Sequence, residues 1–109
     1  MKQLETQIQH AMVDYLRLKY NAFVWVNKNP GTYDPVRNVF RRNTTMKGIS
    51  DLIGLLPGGR FLAVEVKRKG NHMSQDQKRF LEEIRASGGI AFCARSFEDI
   101  DAELNKREG

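Results

Sequence analysis

Two short apolar runs, Asp51-Leu52-Ile53-Gly54-Leu55-Leu56 and Arg60-Phe61-Leu62-Ala63-Val64-Glu65-Val66, stand on either side of Pro57-Gly58-Gly59. No other feature restricts the fold as much. Each run has strand length, and Pro followed by two Gly is turn chemistry, so the segment reads as a β-hairpin. With those three residues as the whole connection, Leu56 faces Arg60, and facing residues carry numbers that sum to 116. Asp51 then stands opposite Glu65, with Cβ atoms roughly 5 Å apart. A slip of one residue sends the two acids to opposite faces of the sheet, so the register decides whether they meet.

The flanking segments supply partners for this hairpin. Residues 3–19 repeat Leu4, Ile8, Met12, Tyr15 and Leu16 at helical spacing with no Gly or Pro between them. Residues 22–28 are rich in β-branched and aromatic side chains and read as a strand. Residues 29–47 hold Pro30, Gly31, Pro35 and many polar groups and read as a long loop, a length that compact domains usually keep for function. Ser74 followed by Gln77 is a capping-box signature. It opens a helix to about Ala86, with Phe80, Leu81 and Ile84 inward and Ser87-Gly88-Gly89 as its stop. Ile90 to Arg95 reads as a further strand, and Ser96 caps a last helix over 97–106 built on Phe97, Ile100 and Leu104. The order α-β-β-β-α-β-α predicts an α/β fold, a mixed central β-sheet flanked by helices. A right-handed parallel crossover is expected from strand 60–66 through the helix to strand 90–95.

The 109 residues are one domain's worth of chain, and 1–109 is read as a single unit with no repeat and no linker. Apolar residues make up 40%, enough for a modest core. No apolar run approaches the roughly 18 residues of a membrane span. The opening Met1-Lys2-Gln3-Leu4-Glu5 lacks the apolar centre of a signal peptide, so a cytoplasmic setting is expected. Cys93 is the only cysteine, which excludes an internal disulfide and a cysteine-built zinc site. It reads as a small buried hydrophobe within Ile90-Ala91-Phe92-Cys93-Ala94. The net charge of +5 suits a polyanionic partner. Arg37, Arg41, Arg42 and Lys47 cluster among Asn and Thr residues, a composition suited to phosphate contacts, with Lys28, Arg68 and Lys69 as further contacts.

The hairpin carries the chemistry. Two carboxylates facing each other repel and cost stability. A shared proton, a neighbouring cation or a bound metal each offsets this. Carboxylate oxygens suit hard divalent cations, magnesium or manganese, and the Val66 backbone carbonyl adjoins Glu65 as a further oxygen. Lys67 lies two residues beyond Glu65 and projects from the same face. There it can orient an attacking water, stabilise charge growing on a phosphoryl oxygen, or act as a base if desolvated. Glu-Val-Lys alone is common on solvated strand ends. The paired Asp51 sets it apart, because both strands are otherwise strongly apolar.

Gly48-Ile49-Ser50-Asp51, then Glu65-Val66-Lys67 after a hairpin, then Ser74-x-x-Gln77 opening a helix, resembles the PD-(D/E)XK nuclease superfamily. More narrowly, the pattern resembles the virus-type replication-repair nuclease family, VRR-NUC. Glu5-x-x-Ile8-Gln9 and Val24-Trp25-Val26-Asn27 are similar to that family's opening, so the likeness spans residues 4–95. It implies a restriction-endonuclease-like core and a magnesium- or manganese-dependent DNA endonuclease. It implies Asp51, Glu65 and the Val66 carbonyl as metal ligands and Lys67 as the catalytic lysine. It also implies Glu5 as an acid that reaches the site from the first helix, and Gln77 as a supporting residue. Ser50 stands where the superfamily commonly has proline. Stand-alone members of this size resemble phage or bacterial proteins and are similar to Holliday junction resolvases, which implies branched DNA as substrate and a homodimer.

Several residues also have plainer roles. Glu5 in a first turn favours the helix dipole, and Gln77 closes a capping box. His10 and His72 lack metal-ligand spacing and read as solvated, while Trp25 reads as core rather than as a platform for bases. Two other functions fit the same residues: a nucleic-acid-binding module in which the acids are structural, and a non-catalytic subunit of a repair complex.

Overall fold

The computed structural model describes residues 2–28, 32–34, 36–37, 39–41 and 46–106; of 2–3, 32–34 and 39–41 it describes only the backbone. Helix α1 runs Lys2–Tyr20. Its end is closed by Asn21 in the left-handed region (φ 55°), and the Ala22 N–H donates back to the Leu16 carbonyl at 3.2 Å. Strand β1 follows at Phe23–Val26.

The segment expected to be a loop contains two short strands, β2 (Thr32–Asp34) and β3 (Val39–Arg41), paired antiparallel into a ribbon of their own. This corrects the sequence expectation. Tyr33, Val39 and Phe40 supply β-preference, and Val36 and Arg37 between the strands lie in a turn.

Strands β4 (Leu52–Leu55) and β5 (Phe61–Val66) form the expected hairpin. Leu52 faces Val64 and Leu55 faces Phe61, so the register sums to 116 as the turn length requires. Gly58 and Gly59 hold φ of 94° and 88°, a conformation that disfavours any side chain. Helix α2 (Gln75–Ala86) opens with the complete capping box: the Gln77 N–H donates to Ser74 Oγ at 3.1 Å and the Ser74 N–H to Gln77 Oε1 at 2.8 Å. Strand β6 (Ile90–Ala94) and helix α3 (Phe97–Asn105) complete the described chain.

The main sheet has the order β1-β4-β5-β6, with the first two pairings antiparallel and the last parallel. This is the mixed sheet the sequence predicts. One face packs Val24, Leu52, Leu62, Val64, Val66 and Phe92 against Met12, Leu16, Ile100 and Leu104 of α1 and α3. The other face packs Ile53, Ala63 and Ala91 beneath Phe80, Leu81 and Ile84 of α2. Each fully buried aliphatic side chain in these layers contributes about 1.5–3 kcal/mol through loss of exposed apolar surface. Tyr15 and Tyr20 both donate to the Asp101 carboxylate, which Lys19 Nζ also meets at 3.1 Å, tying α1 to α3.

α2 packs chiefly over β5 and β6, in a cluster that Ile53 of β4 joins, and leaves the outer part of the β1–β4 half of its face open. Phe23, Trp25, Leu55 and Phe61 stay exposed there, Trp25 at 42%. Trp25 is therefore not the core residue the sequence suggests, because the helix that would cover it packs two strands away.

Candidate active site

Glu65 lies in the middle layer of the molecule, where β5 is covered on both faces, and its side chain is 1% exposed. Asp51 sits just before the first rung of β4 and is half-buried. Extending the ladder by one step puts the two side by side at a non-hydrogen-bonded position, where side chains approach most closely. The Asp51 carboxylate lies close enough to act on the Glu65 carboxyl both by hydrogen bonding and by charge. Burial, first, and then Asp51 hold the Glu65 carboxyl well above the usual carboxylate range, while the Lys67 ammonium pulls it down. Among the described residues Glu65 Oε2 is buried with no hydrogen-bond partner.

Asp51 is fixed from two directions. Its carbonyl accepts from the Asn27 N–H at 2.7 Å, which continues the β1–β4 pairing past the strand ends. Its Oδ2 accepts from the Val66 N–H at 2.9 Å, so the side chain replaces a backbone rung where β4 and β5 diverge. A residue in an extended strand sends its N–H and C=O to the same side, so the Val66 carbonyl also leaves β5 toward Asp51. Gly48 lets the chain reach this point. It has φ 77°, and a Cβ there would lie 2.2 Å from the Asp76 carbonyl oxygen of α2. The loop thus rests on the first turn of α2 and delivers Asp51 to the end of the sheet.

These groups fit a divalent cation: a buried oxygen without a partner, a second carboxylate against it, and a carbonyl directed toward the same place. Among the described residues no three or more His, Cys, Asp or Glu side chains converge as a metal cage. Glu5, in the first turn of α1, acts on Glu65 through its charge, less than burial, Asp51 or Lys67 does. Gln77 commits its amide oxygen to the helix cap. Lys67 is half-buried, and its N–H donates to the Ala94 carbonyl at 3.1 Å, fixing the backbone from which the side chain leaves. Among the basic residues, Lys28, Arg37, Lys47 and Lys69 are exposed and Arg68 is half-buried. The Arg41 side chain and all of Arg42 lie outside the described residues. His10 and His72 are exposed, as expected.

Two neighbours of the pair escaped sequence reasoning. Cys93, expected to be buried, is half-buried and stands beside Glu65 in the parallel ladder, with Arg95 Nη1 at 3.4 Å from its sulfur. Burial pushes its thiol pKa up, so it rests as a thiol. Ser50 is fully buried, and its hydroxyl finds no partner among the described residues. Neither has a spacing signal in the sequence. A cavity of about 460 Å³ opens along α2, lined by Met46, Lys47, Arg79, Phe80 and Ile84 together with the acids Asp76 and Glu83. Its mixed charge makes it a poor phosphate site.

The profile of the VRR-NUC domain matches residues 5–98, which include both acids, Lys67 and the helix that follows them. Comparison with curated proteins and with solved structures gave no match.

Proposed function

The chain belongs to the VRR-NUC domain family and is thus a nuclease-type, DNA-binding protein; from that premise we propose that it is a divalent-metal-dependent endodeoxyribonuclease acting on branched DNA. The buried Glu65 carboxyl, pressed against Asp51 with one oxygen unpartnered, is the observation that carries this reading. A like-charged pair in the apolar middle of a sheet is costly as structure and favourable as a cation seat.

Asp51, Glu65 and the Val66 carbonyl hold magnesium or manganese, with Glu5 acting on the same site through water. When bound, the ion supplies Lewis-acid polarisation at a phosphoryl oxygen. Lys67 projects from the Glu65 face, where its ammonium stabilises charge growing on the phosphate or orients the attacking water. Gln77 supports the site from the first turn of α2. Lys28, Arg37, Arg41, Arg42, Lys47, Arg68 and Lys69 bind the DNA backbone, which makes binding dependent on DNA shape and sensitive to salt. In this reading the protein works as a homodimer in the cytoplasm of a bacterium or of a phage-infected cell.

The test is cleavage of labelled four-way junctions, flaps and plain duplex, with and without manganese. Wild type should cut a branched substrate only with the metal, and Glu65→Ala should bind the same DNA without cutting it. Metal-independent cutting, or unchanged cutting by Glu65→Ala, rejects the proposal. Calorimetric titration of magnesium gives a second readout, since a purely DNA-binding module has no cation seat at these carboxylates.

A further inference from the structure

The uncovered half of the sheet extends the candidate site on the same face. Phe23 faces Leu55, and Trp25 faces Ile53, in the β1–β4 ladder. Asp51 lies two residues before Ile53, so it projects from the same face as Trp25. Trp25 is a diagonal neighbour of Asp51, which places their Cβ atoms roughly 7–8 Å apart. That is about two stacked nucleotides along one strand. Phe23 is 67% exposed and Trp25 42%, and their rings are splayed at 59° with centroids 5.3 Å apart rather than stacked on each other. Lys28 is exposed just beyond the end of β1.

We propose that Trp25 and Phe23 form a stacking platform for unpaired bases of a DNA strand whose phosphate reaches the Asp51–Glu65 pair. The proposal rests on the nuclease reading and names the substrate feature that it leaves open. Aromatic faces bind single strands through the π-face that every base carries, independently of sequence.

A second copy of the chain is the other occupant to weigh, and size and edge chemistry disfavour it. The exposed parts of Phe23, Trp25, Leu55 and Phe61 amount to on the order of 350 Å², taking about 150–250 Å² for a whole aromatic side chain. A stable interface needs roughly 800 Å² from each partner. Extension of the sheet is also obstructed. The Asn27–Asp51 bond makes Trp25–Ile53 and Phe23–Leu55 the hydrogen-bonded pairs, so Val24 points its backbone outward. Arg17 of α1 occupies that outward carbonyl, with Nη2 at 2.7 Å and Nε at 3.1 Å. A covered edge of this kind discourages strand addition.

Trp25 is the only tryptophan in the chain, so its fluorescence reports directly on the platform. In chelator, where cleavage is stopped, a short oligothymidylate should quench Trp25 emission saturably, and blunt duplex should quench it much less. By anisotropy of a labelled single strand, Phe23→Ala and Trp25→Ala should each weaken binding between roughly 5-fold and 100-fold. Duplex binding should change less than twofold. Phe23→Ala alters a mostly exposed side chain, so it tests the idea even where Trp25→Ala disturbs folding. Absence of quenching by single strands, or equal losses on single-stranded and duplex DNA, overturns the platform while leaving metal-dependent cleavage intact. Quenching that follows protein concentration without DNA also overturns it, in favour of a second copy. Loss of cleavage and of magnesium binding with the quench preserved refutes the nuclease reading instead.

Discussion

Glu65→Gln separates charge from shape at the centre of the molecule. The wild-type side chain is 1% exposed and presses on Asp51. In the unfolded chain the carboxyl titrates near 4.5, and in the metal-free folded protein burial and Asp51 hold its proton well above that. Folding therefore takes up a proton at Glu65 at neutral pH. The stabilising contribution of the protonated Glu65 is fully present below the unfolded pKa and is lost as pH rises toward the raised folded value. Its limiting slope is about 1.4 kcal/mol per pH unit for one proton. Between about pH 5.5 and pH 7.5 this reaches at most about 3 kcal/mol, roughly 10 °C in Tm for a domain of this length. Gln keeps the shape and carries no titrating proton, so the variant lacks this slope.

In chelator, Glu65→Gln should be more stable than wild type near neutral pH, and the gap should close toward acid. Urea or thermal denaturation followed by circular dichroism at the two pH values measures it. Saturating magnesium should reverse the order. Wild type gains about 2.7 kcal/mol at a hundred times its Kd, while the variant, without the second negative charge, gains less. A gap that is independent of pH, or that widens toward acid, would refute the reasoning that a buried, repelled carboxyl sits at position 65.

Three further outcomes follow from the same geometry. Asp51→Ala should abolish cleavage and also cost about 1–3 kcal/mol, because the Val66 N–H loses its acceptor; Asp51→Asn, which keeps an acceptor oxygen, should lose cleavage with a smaller change in urea denaturation. Lys67→Ala should lower single-turnover cleavage by roughly 100-fold or more while DNA affinity by anisotropy moves only a few-fold, and wild-type cutting by that variant would remove the lysine from the mechanism. Gly48→Ala should destabilise by roughly 2–3 kcal/mol, since its backbone has φ 77° and the new methyl meets the Asp76 carbonyl; thermal denaturation checks it, and a neutral result would mean that the loop does not rest on α2 as described.

Local chemistry made the sheet and the acid pair readable in the sequence. A three-residue turn sets the hairpin register by counting, so Asp51 and Glu65 follow from Pro57-Gly58-Gly59 alone. Ser74 and Gln77 cap α2 through bonds three residues apart, which spacing also reveals. The β2–β3 ribbon was hidden because three-residue strands carry too little pattern to stand out among polar neighbours. Burial depends on what lies above a strand, and no local pattern encodes that. An alternating strand places Trp25 on one face, but only the landing of α2 over β5 and β6 leaves that face open. The parallel pairing of β5 with β6, strands far apart in the chain, sets Cys93 beside the buried Glu65. The sequence by itself determined which side chains share a face, because strand geometry repeats every two residues. Tertiary structure alone decided which of them meet water, because coverage is set by elements distant in the chain.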